Sequence, residues 1–283
     1  MASPITKIGH DSLHSTLRVL GQAGATTDHA DWMRGGERGE NASLLVRFID
    51  EQMALAEMNP YEMTVAAQLT ALRRANEEEL DLKNPFWTPI GEEQFARLAN
   101  SAPAWPKGKH VYRFFRIRFG EGDDGVAKTL EVHCARIHHV FGVKHYWRSG
   151  QLLSGKVEYH GEPVERLRLL NGNHTHKACI EWVVANFDRH RKRNSVAAVR
   201  SAKSLADELL VAAWMFPEVV RDMHLKNLPA LFAAGYEVNV PGCGEETWRH
   251  TMGVYFDRLE HQASLQVFHV CDARSGFSVP ELL

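Results

Sequence analysis

Seven histidines, His133, His138, His139, His145, His160, His174 and His176, fall within residues 133–176. His174 and His176 alternate by two, so on a strand both would stand on one face. Two such imidazoles could be offered to a divalent metal, or could carry protons, since imidazole titrates near neutral pH. A metal would need a third ligand, from His133, His138, His145, Glu158 or Glu181. No HExxH, carboxylate pair or cysteine pair selects among these, so neither a bound metal nor a cofactor is expected. The plain reading is a set of solvated or hydrogen-bonded histidines on a mixed sheet.

Asn171-Gly172-Asn173 precedes His174. Gly172 allows a tight backbone turn, and Asn-Gly is hairpin chemistry between antiparallel strands. Downstream, Arg189-His190-Arg191-Lys192-Arg193 gathers positive charge, supported by Lys107, Lys109, Arg116, Arg118 and Arg200. Arg189, Arg191, Lys192 and Arg193 could contact a phosphate backbone without reading bases, giving weak, salt-sensitive nucleic-acid binding. As a solvated loop, the same run binds nothing.

Other chemistries lack their signatures. There is no GxSxG, no Walker-type loop and no dinucleotide fingerprint. Asp207 and Glu208 read as capping and surface charge on a helix. Asp123 and Asp124 read as local hydrogen-bonding residues in a Gly-flanked turn.

The chain has 283 residues, 44% of them hydrophobic, and a formal charge of −2. Those values fit a globular protein and exclude disordered or collagen-like classes. The total charge is not that of a dedicated nucleic-acid binder. No apolar run is long enough for a bilayer and the first residues lack a secretory core, so no membrane contact is expected. Cys134, Cys179, Cys243 and Cys271 form no CxxC and read as reduced thiols in a cytoplasmic protein.

Charge is distributed unevenly. Residues 1–82 hold 7 Lys and Arg against 13 Asp and Glu, whereas the remainder holds 26 against 22. Residues 1–82 therefore read as an acidic helical region, with a helix at 42–58 and a second from Pro60 to about Leu82, capped by Asn59 and Glu62. Residues 83–109 hold four prolines with Trp87 and Trp105, a connector with a short helix at 92–99. The rest, 110–283, reads as an α+β domain. Val111–Phe119 alternates as a strand, Gly120–Gly125 turns, and Lys128–Phe141 has helical spacing. Val157–Tyr159 and Arg166–Leu170 form strands around a turn at His160–Pro163. Lys177–Phe187 is β-branched and aromatic, a strand expected to pair with Arg166–Leu170. Ser204 opens a helix with Leu205, Leu209, Leu210, Ala213 and Trp214 as its stripe, and Pro217 begins another. Three more strands and an edge segment at 276–283 follow.

Several motifs keep a recognisable order: Arg166–Leu170, His174, Trp182-Val183-Val184, Leu209–Pro217, Gly235-Tyr236-Glu237-Val238 with Pro241-Gly242, and Phe277-Ser278-Val279-Pro280. That order resembles a family of uncharacterised proteins of candidate-phylum bacteria, which implies an architecture and no activity. Within it, Asn171–Ala178 is similar to the strand–loop–helix signature of ParB/sulfiredoxin-like domains. This resemblance implies a phosphate- or nucleotide-binding loop at Asn171, Gly172, Asn173, His174 and Thr175, with His174 or His176 as proton carrier. Asn171 replaces the usual acid, and Thr175 stands where an arginine belongs. An arginine on the Arg113/Arg116 strand, or Arg189 or Arg191, would then supply the charge.

The expected fold is α+β: an N-terminal helical region, then a mixed, largely antiparallel sheet with helices after residue 203. The leading functional expectation is a cytoplasmic, non-catalytic binding or interaction protein with a possible protein partner.

Overall fold

A computed structural model describes residues 26–34, 40–152, 156–169, 176–189, 196–223, 230–242, 248–257, 259–270 and 277–283. The fold is α+β and divides into two compact units, Met1–Met58 and Asn59–Leu283. In the first, helices α1 (Thr27–Arg34) and α2 (Glu40–Glu57) are tied by the Asn41 side-chain amide donating to the Trp32 carbonyl at 2.8 Å.

The second unit opens with α3 (Val65–Asp81). Its start lies later than the Pro60 expected from the sequence. Thr64 caps it by accepting from Ala67 N–H, while Asn59 is drawn elsewhere, accepting from Tyr61 N–H and donating to the Val111 carbonyl. The connector packs closely onto α3. Buried Asn76 accepts from the Trp87 indole and from Ile90 N–H, both at 2.9 Å. Helix α4 (Glu92–Asn100) follows, and its Leu98 carbonyl accepts from the Trp182 indole.

Strand β1 (Val111–Arg118) leads into α5 (Gly122–Phe141). The turn expected at 120–125 is shorter: Gly120 and Gly122 take positive φ, and Asp123 and Asp124 already belong to the helix's first turn, where carboxylates suit the dipole. Next come β2 (Tyr146–Arg148), β3 (Lys156–Tyr159), β4 (Glu162–Glu165) and β5 (Leu167–Leu169). The hairpin is β3–β4 rather than β3 with Arg166–Leu170. His160 and Gly161 both take positive φ, the geometry of a two-residue hairpin turn, and it leaves β5 for another sheet.

The rest comprises β6 (Cys179–Asn186), α6 (Val196–Val199), α7 (Asp207–Met215), α8 (Pro217–Arg221), β7 (Ala230–Val238), β8 (His250–Asp257), β9 (Gln262–His269), β10 (Phe277–Ser278) and β11 (Glu281–Leu282). One sheet orders β1-β6-β11. A second orders β10-β7-β8-β9-β2, with β5 also on β7, and the β3–β4 hairpin is a separate two-stranded sheet. All pairings are antiparallel except β10 with β7 and β2 with β9.

Residues 179–186 are a strand, as their composition requires, but their partner is β1 and not Arg166–Leu170. Eight positions pair with β1, including Phe115 opposite Trp182, whose rings lie 4.1 Å apart. A three-residue partner could not match those cross-strand contacts. Arg166–Leu169 turns instead to β7.

Helix α7 is buried on every side and lies against β1, β7 and α5. A helix apolar around most of its circumference is stable only inside a core. With Tyr112, Phe114 and Phe115 of β1 it centres one continuous core, where each fully buried large side chain contributes roughly 1.5–3 kcal/mol. No helix among the described residues is long and apolar enough to cross a membrane.

Candidate functional site

Asn171, Gly172, Asn173, His174 and Thr175 lie outside the described residues, as do Arg191, Lys192 and Arg193. Both flanks of the first group are placed. Leu169 ends β5 on the wall of a small cavity, and His176 is buried against α5. His176 Nε2 lies 3.0 Å from the Thr129 hydroxyl and 3.3 Å from the Phe119 carbonyl, while its enclosed Nδ1 has no partner among the described residues. Gly125 makes this seat: a Cβ there would stand 2.6 Å from the imidazole. Residues 179–186 being a strand, no helix N-terminus stands there to receive phosphate.

The cavity beside Leu169 has a volume of about 110 Å³ and is walled by Arg116, Arg118, Ser204 and Glu208. Arg118 Nε donates to both Asp207 oxygens at 3.0 Å. Arg116 donates from Nε to Glu208 at 2.6 Å and from Nη1 to Glu181 at 2.5 Å. Asp207 and Glu208 are therefore not surface charges. Asp207 is wholly enclosed and Glu208 nearly so. Ser204 does not cap the helix either; it bridges to Glu281, and Glu208 itself accepts from Ala206 N–H at the helix start. Gly235 permits the arrangement, because a Cβ on β7 would meet the Ser204 carbonyl at 2.6 Å. Burial works to lower the Arg118 pKa, but the Asp207 and Glu208 carboxylates outweigh it and raise it. Burial drives the His176 pKa down, against the pull of Asp207.

This network removes the three arginines from the support expected for the basic run, while Lys107 and Lys109 remain exposed. Arg116 and Arg118 are held by acids, and Arg200 donates to Glu237 at 3.0 Å. Arg189 is exposed, 3.9 Å from Glu281. The other histidines are scattered. His133 Nε2 donates to the Ile117 carbonyl, His138 packs edge-on to Tyr146, and His145 meets the His261 carbonyl. Glu181 is taken by Arg116. Among the described residues, no three His, Cys, Asp or Glu are grouped to hold a metal.

A larger cleft opens elsewhere, between α3, α5 and α7. Helical spacing aligns Ala71, Arg74 and Glu78 on one wall and Arg136, His139 and Val140 on the other, with Trp214, Met215 and Pro217 completing it. Its volume is about 340 Å³, within the range of small-molecule sites. Arg136 is 4% exposed and donates from Nη1 to Glu78 at 2.9 Å and Glu79 at 3.2 Å. Its guanidinium carbon lies 5.5 Å from the Trp214 ring centre. The Trp214 indole N–H in turn points at His133 Nδ1, 3.4 Å away. Burial pushes His133 down to about 4, against the Ile117 hydrogen bond. Glu78 is lowered because hydrogen bonds from Arg136 and Arg74 overcome the effect of burial.

Sequence reasoning missed this cleft. The Arg74–Glu78 spacing of four is legible on α3, but Glu78 meets Arg136 across 58 residues. The available clue was a charged residue, Arg136, in the apolar interval between Cys134 and Ile137. Comparison of the chain with family models, with curated proteins and with solved structures yields no match.

Proposed function

We propose that this chain is an intracellular, non-catalytic binding protein whose ligand occupies the cleft between α3, α5 and α7. One observation carries the reading: a cleft of about 340 Å³ combines an apolar wall of Val140, Trp214, Met215 and Pro217 with the convergent polar groups of Arg136, Glu78 and His139. Small-molecule sites have this composition, mostly apolar with a few placed polar groups that fix orientation. The free thiols of Cys134 and Cys179 fit a reducing compartment. The test is a thermal-shift screen of a chemically diverse small-molecule library against the wild type and an Ala71→Trp variant that fills the cleft. The reading predicts compounds that stabilise the wild type and not the variant. A screen in which every stabilising compound acts equally on both proteins refutes it.

A second reading keeps the loop Asn171–Thr175 as a nucleotide- or phosphate-binding element with His176 as proton carrier. It is favoured by the buried Nδ1 of His176, which has no partner among the described residues, and by the electrostatic reach of Asp207 and Arg118 to that ring. Calorimetric titration with ATP and CTP in the presence of magnesium separates the two. The loop reading predicts a saturable isotherm, and the cleft reading predicts none.

A further inference from the structure

Arg136 is an unusual wall for a ligand cleft. Its side chain is 95% enclosed, yet only one of its three nitrogens is fully employed. Nη1 serves Glu78 and Glu79. Nε is sealed without an acceptor, and Nη2 has no protein partner among the described residues while not being sealed. Since Arg136 lines the cleft, its small accessible remainder belongs there. Buried guanidinium donors are normally satisfied. Sealed Nε lies beyond a ligand's reach, so Nη2 is the donor that an acceptor in the cleft can meet.

The surroundings narrow its chemistry. Arg74 and His139 stand at the mouth as further donors, and Glu78 is the one carboxylate on the wall. Glu78 is itself engaged by both arginines and by His139, so its oxygens point into existing bonds. The open Nη2 group suits a single acceptor oxygen, and with Glu78 and Glu79 already on Arg136 a small anionic charge is opposed least. A dianion such as phosphate would meet Glu78 with no second spare cation of comparable burial. The remaining wall, Ala71, Val140, Trp214, Met215 and Pro217, is apolar and suits a flat hydrocarbon or aromatic body.

We infer that the cleft takes a small organic carboxylate with a flat apolar body, its carboxylate on the Arg136 guanidinium. This rests on the cleft reading above and deepens it. With Nη1 engaged and Nε sealed, the carboxylate accepts from Nη2 alone, a charge-assisted hydrogen bond stronger than one to a neutral oxygen.

Three probes sharing one indole ring test the inference by calorimetry: indole-3-acetate, its isosteric amide indole-3-acetamide, and the cation tryptamine. Indole-3-acetate binds the wild type with one-to-one stoichiometry, at least about tenfold tighter than the amide, and tryptamine shows no saturable binding. Arg136→Lys, checked for folding by circular dichroism, weakens the acetate by about tenfold or more and leaves the amide unchanged. Ala71→Trp, which keeps Arg136, abolishes acetate binding, so the outcome does not depend on whether the arginine variant folds. Amide or amine binding as tight as the acetate overturns the carboxylate assignment while the cleft reading stands. Binding by none of the three also overturns it, and the library screen then judges the cleft reading separately. Acetate binding that persists in Ala71→Trp places the site elsewhere and overturns both.

Discussion

Arg118 and Asp207, 89 residues apart, meet in a two-oxygen hydrogen bond that joins the end of β1 to the first turn of α7, with the aspartate wholly enclosed. Losing Asp207 leaves the enclosed Arg118 with only the longer contact to Glu208, at 3.3 Å, which Glu208 shares with Arg116. Asp207→Asn is accordingly predicted to destabilise the fold by roughly 3 kcal/mol, measured as a lower denaturant midpoint with an unchanged slope. Replacing both partners together, as Arg118→Met with Asp207→Leu, recovers most of that loss, because the desolvation of both charges disappears with them. A single Asp207→Asn change costing under about 1 kcal/mol would show the pair to be solvated.

The close approach of β7 to the segment before α7 rests on Gly235. A Cβ there would stand 2.6 Å from the Ser204 carbonyl and 2.9 Å from the Leu205 carbonyl, both backbone atoms that cannot swing aside. Gly235→Ala is predicted to cost about 1–3 kcal/mol, read as a lowered Tm. Gly150→Ala is the control: nothing lies within 4 Å of its added methyl, and the change should stay within about 0.5 kcal/mol. Equal effects at the two glycines would contradict the packing described for β7.

Stability should also depend on pH through His133. The fully buried ring takes a proton only near 4, against about 6.5 for an ordinary histidine. The unfolded chain thus binds a proton in that interval and the folded chain does not. The contribution is fully present above pH 6.5 and is lost progressively as the pH falls towards 4, by at most about 3 kcal/mol. His176, also lowered by burial, acts in the same direction. Denaturation at a series of pH values should show this decline, with a shallower slope between pH 6.5 and 4 in a His133→Asn variant. An unaltered slope in that variant would mean that other groups govern acid stability.

The fold class was legible because local signals and tertiary outcome agree at β1, α4, α5 and β6. Alternation, helical spacing and β-branched content act within a few residues. Pairing was less legible. The partner of β6 depends on Phe115 packing on Trp182, a contact between positions far apart in sequence, while the Asn-Gly pair in the sequence favoured the neighbouring strand. The charges misled for a related reason. Asp207 and Glu208 look like the first-turn acids of any surface helix, and only the burial of α7 turns them into partners for Arg116 and Arg118. The cleft was hidden because it needs three helices at once, and Trp214 reads as core in isolation.

The most direct test of the ligand cleft is amide chemical-shift mapping of the labelled protein during titration with indole-3-acetate. The account predicts saturable shifts concentrated at Ala71, His139, Val140, Trp214 and Met215, and their loss in the Ala71→Trp variant. Shifts centred instead on Leu169, His176 and the Arg116–Arg118 strand end, or no saturable shifts at all, would contradict it.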